Sequence, residues 1–437
     1  MSIDAGTQPG DYSGDYRPDF TLTDLDHATL AWYGREVMLA NHIHDRAIMP
    51  QLALNHGMAA QTRAACDEWM GASPIYNYRN RALLNIGGDD IETIFKAFQL
   101  DIGAPHTFLQ FHWDLQSPSE GQFWLTHCGA YNHVRRITNA DPASETQICH
   151  HMEDPTFDAT VMAVNQRARC RPVFRPPHGT VPAEGPCRWR VFLGDELILT
   201  ESSEVLPLVK QSRAANFAFA AIEPGNDGLA DYAGPFNRAF TLEMLSHPVL
   251  ARQCKEFSLD VHLLQRACYT SVMRDHGAKS AWEMTAEQWR AMAPVYVHRL
   301  RNALGIRGDG MDAILKLLQT DPYLPPEYLK TGTAKISDSH GRFWIEDCEA
   351  LQDEPLGVVG LLFKKPDIGI SAPLAAANPQ ARCQLTNDCP EAKGKAVIAW
   401  DIVIDDSHTA PAPSDYTALV AGEDMWDHDA SRHQYAY

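Results

Sequence analysis

The sequence predicts an α+β protein made by tandem duplication of one module. Three observations carry that prediction: a repeat held at constant spacing, helical periodicity ahead of strand-like alternation in each copy, and a Gly/Pro-rich stretch between the copies. The repeat is plainest where GQFWLTHC, Gly121 to Cys128, returns as GRFWIEDC, Gly341 to Cys348. From Trp124 to Trp344 the offset is 220 positions, and the same offset aligns FTLTDLDH from Phe20 with FTLEMLSH from Phe240. It also pairs Arg79 with Arg299, and Lys96, Gln99 and Asp101 with Lys316, Gln319 and Asp321. Chance does not keep one register over so long a span.

Each copy begins with helices. In IETIFKAFQ, residues Ile91, Ile94, Phe95 and Phe98 recur at helical spacing, and Asp89 with Glu92 forms a capping box ahead of them. Ser73-Pro74 reads as the cap and first turn of the preceding helix. Strand signals follow in TFLQFHWDL, in GQFWLTHC and, after another helix, in ARCRPVF and CRWRVFL. Each module is thus several helices and then a small, mostly antiparallel sheet with a helix packed on it. The expected division is an N-terminal arm over 1–19, a first module over 20–200, a linker over 201–239, a second, degenerate module over 240–406, and a C-terminal tail over 407–437. The linker is marked by EPGNDGLADYAGPFNR, and the acids and prolines after Asp405 predict an extended arm or a disordered tail.

A chain of 437 residues is long enough for two or three cores, and 45% hydrophobic with 21% charged residues is ordinary globular composition. No apolar run approaches the roughly 20 residues of a membrane-spanning helix. The start, MSIDAGTQPGDYSGDY, lacks the basic and apolar regions of a secretory signal, which predicts a cytoplasmic location. Ten scattered cysteines without a CxxC pair favour thiols or metal ligands over a disulfide framework. A formal charge of −19 argues against nucleic acid and anionic membranes as partners. The arginines between Arg167 and Arg175, with Arg169 among them, are a local exception able to meet a small carboxylate.

The duplication supplies an internal control, because residues needed by the fold should persist in both copies while a site can be lost from one. His42 and His262, His56 and His276, Trp69 and Trp289, Tyr76 and Tyr296, and Arg79 and Arg299 are paired, which favours packing or contacts between modules. His42 with His44 forms an HxH pair, a weak metal signal by itself. The first copy alone contains ICHHMEDPTFD, with Cys149, His150, His151, Glu153 and Asp154, where the second has LLFKKPDIG. On a helix, Cys149, His150 and Glu153 fall within about 100° of one another. A thiol, an imidazole and a carboxylate on one face suit either an activated cysteine nucleophile or a divalent ion that activates water. A buried cysteine beside surface histidines is the bland alternative, and Pro155 more naturally starts a new helix. Alternation places Cys128 on the face of Trp124, opposite His127. Cys128 is matched by Cys348, whereas Cys187 has no counterpart; Cys170 and Cys383 each follow Ala-Arg and read as structural.

The order FWLTHC, CHHMED, RARCRPVF and GPCRWRVF resembles the L-2-amino-thiazoline-4-carboxylate hydrolase family over about residues 121–193, with a degraded echo over 341–404. In that family a cysteine closes a first strand, a cysteine followed by an acid opens a helix, and a third cysteine opens a strand. Here those positions are Cys128, Cys149 and Cys187. The chain departs from the pattern in placing His150 and His151 directly after Cys149, in moving the acid to Glu153, and in carrying a second module. The resemblance implies hydrolysis of a C–N bond in a small heterocyclic amidine or amide. Cys149, His150 and Glu153 would be catalytic, and Cys128, Cys187, His127 and Arg169 would bind substrate. No cofactor follows with certainty; a divalent metal, Zn or Mn, would be held by His151 with Cys149, His150 and Glu153. The expected partner is a small-molecule substrate, and a homodimer remains open. Two rivals stand beside this reading: a non-catalytic metal- or ligand-binding protein, and a scaffold that assembles through its helices.

Overall fold

The computed structural model describes residues 10–194, 202–353 and 367–422. The first half begins with two long helices, α1 (His27–His56) and α2 (Met58–Leu83), and the short amphipathic α3 (Ile91–Gln99). The hairpin β1 (Leu109–Ser117) and β2 (Glu120–Cys128) follows. Next come α4 (Gly129–Thr138), α5 (Pro142–Thr146), a π-helical turn (Gln147–Met152) and α6 (Glu153–Met162), then β3 (Ala168–Phe174) and β4 (Cys187–Leu193). The sheet order is β1-β2-β4-β3, antiparallel throughout.

After the short helices α7 (Leu206–Lys210) and α8 (Arg213–Asn216), the second half repeats this plan. Its long helix α9 (His247–Leu304) leads to α10 (Met311–Gln319), α11 (Pro326–Leu329), β5 (Thr331–Lys335), β6 (His340–Glu346), α12 (Asp367–Ala377), β7 (Ala381–Thr386), β8 (Ala396–Ile404) and α13 (Thr417–Val420). The sheet order β5-β6-β8-β7 copies the first. The chain is therefore α+β with a duplicated layout. The registers agree in detail, since Phe123 faces Trp189 in one sheet and Phe343 faces Trp400 in the other. No helix among the described residues is long and apolar enough to cross a membrane.

Helix α9 corresponds to α1 and α2 together. It breaks at Gly277 (φ 81°, ψ 161°), the repeat of Gly57 (φ 87°, ψ 165°), which separates α1 from α2. That backbone region is open essentially only to glycine, so both copies keep one there.

The halves meet by an approximate two-fold relation, because a contact from residue i to j recurs between their repeats. Arg79 pairs with Glu256 and Arg299 with Glu36, and on the axis His56 stacks on its own repeat, His276, with ring centroids 3.7 Å apart. The paired residues Tyr76 and Tyr296 bind the buried carboxylates of Asp101 and Asp321 at 2.9 and 2.8 Å. The expectation that paired residues serve packing and module contacts is met by these three pairs, whereas His42 and Trp69 of the first copy also line a cavity.

The segments before each module are exchanged. The Tyr12 backbone N–H bonds the Leu304 carbonyl and its hydroxyl bonds Gln319, both in the second half. Tyr232 does the same to Leu84 and Gln99 in the first half. Lys316 reaches the Gly14 carbonyl as Lys96 reaches that of Gly234. The expected arm and the C-terminal part of the expected linker are thus repeats of each other, each clasped by the opposite copy. The described part of the tail is also packed: Val420 is fully buried, and α13 rests on α1 and α9.

Three local expectations are corrected. The cap of α3 is Asp90, whose carboxylate accepts from Thr93 N at 2.9 Å, one residue later than the predicted box. No helix starts at Ser73-Pro74, because α2 runs through Pro74 with Ser73 buried, and packing on both sides holds the turn that proline weakens. Cys128 lies on the buried face with Phe123 and Leu125, not with half-exposed Trp124. The cause is a β-bulge: Gln110 pairs with His127 but Phe111 with Leu125, so Thr126 is the extra residue and alternation inverts after it.

Candidate active site

The two sheets sit differently on the helices. Phe343, Ile345, Trp400 and Ile402 of the second sheet belong to one continuous core with α1 and α9, whereas Phe123, Leu125, Trp189 and Val191 of the first sheet form a separate apolar cluster. Between that cluster and the helical layer lies a cavity of about 520 Å³. Its walls are α1, α2, the β1–β2 hairpin, α4 and the π-helical turn running into α6, and the lining is mainly apolar, including Met49, Trp69, Phe98, Phe108 and Leu125. A volume of this size and character suits a small, mostly apolar ligand.

Among the polar groups that interrupt the lining are the titratable side chains of His42, Asp45, Arg46, Asp101, His133 and Glu153. His42 bonds the Gly103 carbonyl through Nε2 at 3.0 Å and stacks on Phe108 at 4.0 Å; burial, then Arg46, pushes it down to about 4, so it is neutral. His133 is likewise kept neutral, pushed down to about 2 by burial and by Arg46 and Arg136. Asp101, bonded to Tyr76, is raised to about 6 by burial.

Arg46 is the cation of the pocket. Its guanidinium lies over the Phe108 ring at 5.6 Å, is 8% exposed, and forms no ion pair or hydrogen bond among the described residues. Its repeat, Arg266, instead pairs with Asp353 at 3.1 Å. Glu153 is the acid that the start of α6 brings to the pocket. Burial first, and the Asp154 charge second, raise its carboxyl to about 7 against the pull of Arg46 and Arg175.

The segment Gln147–Met152 is π-helical, so Glu153 N–H reaches back to the Ile148 carbonyl. Pro155 has no N–H to offer the His151 carbonyl four residues earlier, and the Cys66 thiol meets that carbonyl at 3.4 Å. This geometry sorts the predicted site residues. Cys128, Cys149 and Cys187 share the apolar cluster beneath the first sheet, with Glu153 close enough for its charge to bear on Cys149. Of these, Cys128 and Glu153 line the cavity.

The other predicted residues point elsewhere. His150 Nε2 bonds the Pro176 carbonyl at 2.6 Å, and exposed His151 borders a separate polar groove with Cys66, Asp67 and Arg274. His127 lies 3.5 Å from Asn132, and Arg169 bonds the carbonyls of Gln166 and Ala168. Burial pushes the Cys128 thiol up to about 12 and those of Cys149 and Cys187 well up, so all three rest as thiols. The segment LLFKKP opposite them in the second copy lies outside the described residues.

Behind the cavity wall, His44 and Asp45 of α1 meet Glu68 of α2, with ligand-type atoms all within 4.8 Å of one another. His44 Nδ1 is 3.2 Å from Glu68 and 3.6 Å from Asp45. Burial disfavours the His44 cation, but Glu68 and Asp45 outweigh it and hold the imidazole up at about 9. Sequence reasoning passed over Arg46, Asp45 and Glu68. The signal was present, since Asp45, Glu68 and His44 repeat as Gln265, Gln288 and Leu264. Compared with protein-family models, curated proteins and solved structures, the chain matches none.

Proposed function

We propose that the first half is a hydrolase acting on a C–N bond of a small heterocyclic amidine or amide that carries an anionic group. The observation that supports this most is the pairing, in one cavity, of a carboxyl held near 7 at Glu153 with the unpaired guanidinium of Arg46. A general acid–base group works best when its pKa lies near the working pH. Ionised Glu153 takes a proton from water, whose oxygen bonds to the amidine or amide carbon. The resulting carboxylic acid returns the proton to the leaving nitrogen as the C–N bond breaks. Arg46 holds the substrate's carboxylate, and the apolar walls exclude bulk water. Cys149, with Cys128 and Cys187, shapes the floor beneath Glu153, while His150 ties the π-helical turn to the Pro176 carbonyl and His151 lies outside the pocket.

The test is turnover of carboxylate-bearing cyclic amidines and amides, read by released amine. Glu153→Gln should lower kcat by about 100-fold or more with binding retained, and Arg46→Met should chiefly raise KM. Turnover unchanged in Glu153→Gln removes the hydrolase reading. Tight binding of the same compounds without turnover transfers the pocket to the non-catalytic ligand-binding reading, which its neutral histidines and mainly apolar walls also support.

A further inference from the structure

We propose that His44, Asp45 and Glu68 form a divalent metal centre of the Mn²⁺ to Zn²⁺ class, set between the large cavity and the interface of the two halves. One imidazole nitrogen and two carboxylates from adjacent helices are a donor set suited to such ions, and two negative charges offset the ion's own. The triad's ligand-type atoms lie within 4.8 Å of one another, and each of its residues is at most 5% exposed.

Three further observations point to a ligand. First, both Glu68 carboxylate oxygens, His44 Nδ1 and Asp45 Oδ1 are buried without a hydrogen-bond partner among the described residues. His44 and Glu68 approach to 3.2 Å yet are not aligned for bonding. The one cation paired with the two carboxylates among the described residues is the His44 imidazole, and a divalent ion bound in place of its Nδ1 proton would compensate both more fully. Second, His44 alone of the three borders a cavity of about 10 Å³, room for a single water beside the ion, whose other walls include Cys268, Gln288 and Gln265. Third, the whole charge set is absent from the other copy, where the repeats are Leu264, Gln265 and Gln288. Charges kept only to pack helices would be wanted equally at both ends of the two-fold relation.

Asp45 lines both the triad and the large cavity, so an ion here would stand one side chain behind the pocket wall. The proposal does not depend on the hydrolase reading, and its readout is metal alone.

The experiment is titration of the full metal-stripped chain with Mn²⁺ and with Zn²⁺, by calorimetry and by metal analysis after gel filtration. One ion per chain is expected, together with an ion-dependent rise in Tm. Glu68→Gln, which copies Gln288, should weaken binding by more than about 100-fold, and Cys149→Ala should leave it unchanged. Should Glu68→Gln fail to fold, Asp45→Asn serves the same purpose. No stoichiometric binding tighter than about 1 mM in the wild type overturns the proposal. So does binding that survives Glu68→Gln but disappears in Cys149→Ala.

Discussion

Arg299 donates to Glu36 at 2.7 Å across the boundary between the halves, as Arg79, its repeat, does to Glu256. Glu36 is 6% exposed, so removing the one cation paired with it among the described residues strands a buried charge. Arg299→Met should lower unfolding free energy by about 3 kcal/mol, and adding Glu36→Met should recover a good part of that loss. Urea unfolding of the single and double variants checks this. A double variant as unstable as the sum of its singles would show that the pair is not coupled.

Glu153 makes stability depend on pH. Its folded carboxyl titrates at about 7 while an unfolded one titrates near its ordinary value of 4.5. The folded state therefore binds more protons between those values, and stability falls as pH rises from about 4.5 through about 7. The groups bearing on it are Asp154, Arg46 and Arg175, with the Cys128 and Cys149 thiols beside it. Glu153→Gln should remove this contribution, of the order of 3 kcal/mol, and so gain stability relative to wild type at pH 8 but not at pH 4.5. Chemical denaturation at the two pH values decides; an equal shift at both contradicts it.

The buried thiols should be slow. At pH 8 in the native protein, iodoacetamide should modify half-buried Cys389 well before Cys128, Cys149 or Cys187, which should react only once the chain is unfolded. Mass mapping of the labelled peptides reads the order. Cys149 reacting first would restore the activated-nucleophile role that its sequence context suggests.

Gly57 holds a backbone conformation that side chains rarely adopt, yet a methyl group there would meet nothing within 4 Å. Strain alone should set the effect of Gly57→Ala, a loss of about 1–3 kcal/mol, and Gly277→Ala should match it. Thermal melts of both variants test the equivalence of the two breaks.

The duplication, the α+β class and all four strands of the first sheet were legible in the sequence, because the repeat keeps one register and strand alternation is local. The face of Cys128 was not, since a bulge at Thr126 is set by pairing with Gln110 and Phe111. Nor were the directions of His150 and His151. A helical wheel assumes α-helical spacing, and the wider π-helical turn together with Pro155 changes what each side chain meets. Arg46 and Glu68 escaped notice because their partners are distant in sequence and no local pattern announces a cavity between a sheet and a helical layer. Applying the test of one-sided loss to every position, rather than to the cysteine-rich segment alone, would have exposed Asp45 and Glu68 through Gln265 and Gln288.

The exchanged segments around Tyr12 and Tyr232 bear on how such an assembly is sustained. A chain holding one module of this design would lack the strap that clasps its own helices and would have to borrow it from a second molecule, so its folding would follow the law of mass action. Covalent fusion replaces that search by a tether, and the local concentration of each strap becomes independent of dilution. With assembly secured by connectivity, the two copies are no longer obliged to stay alike. One can keep a cavity with its buried charges while the other closes its sheet onto the common core.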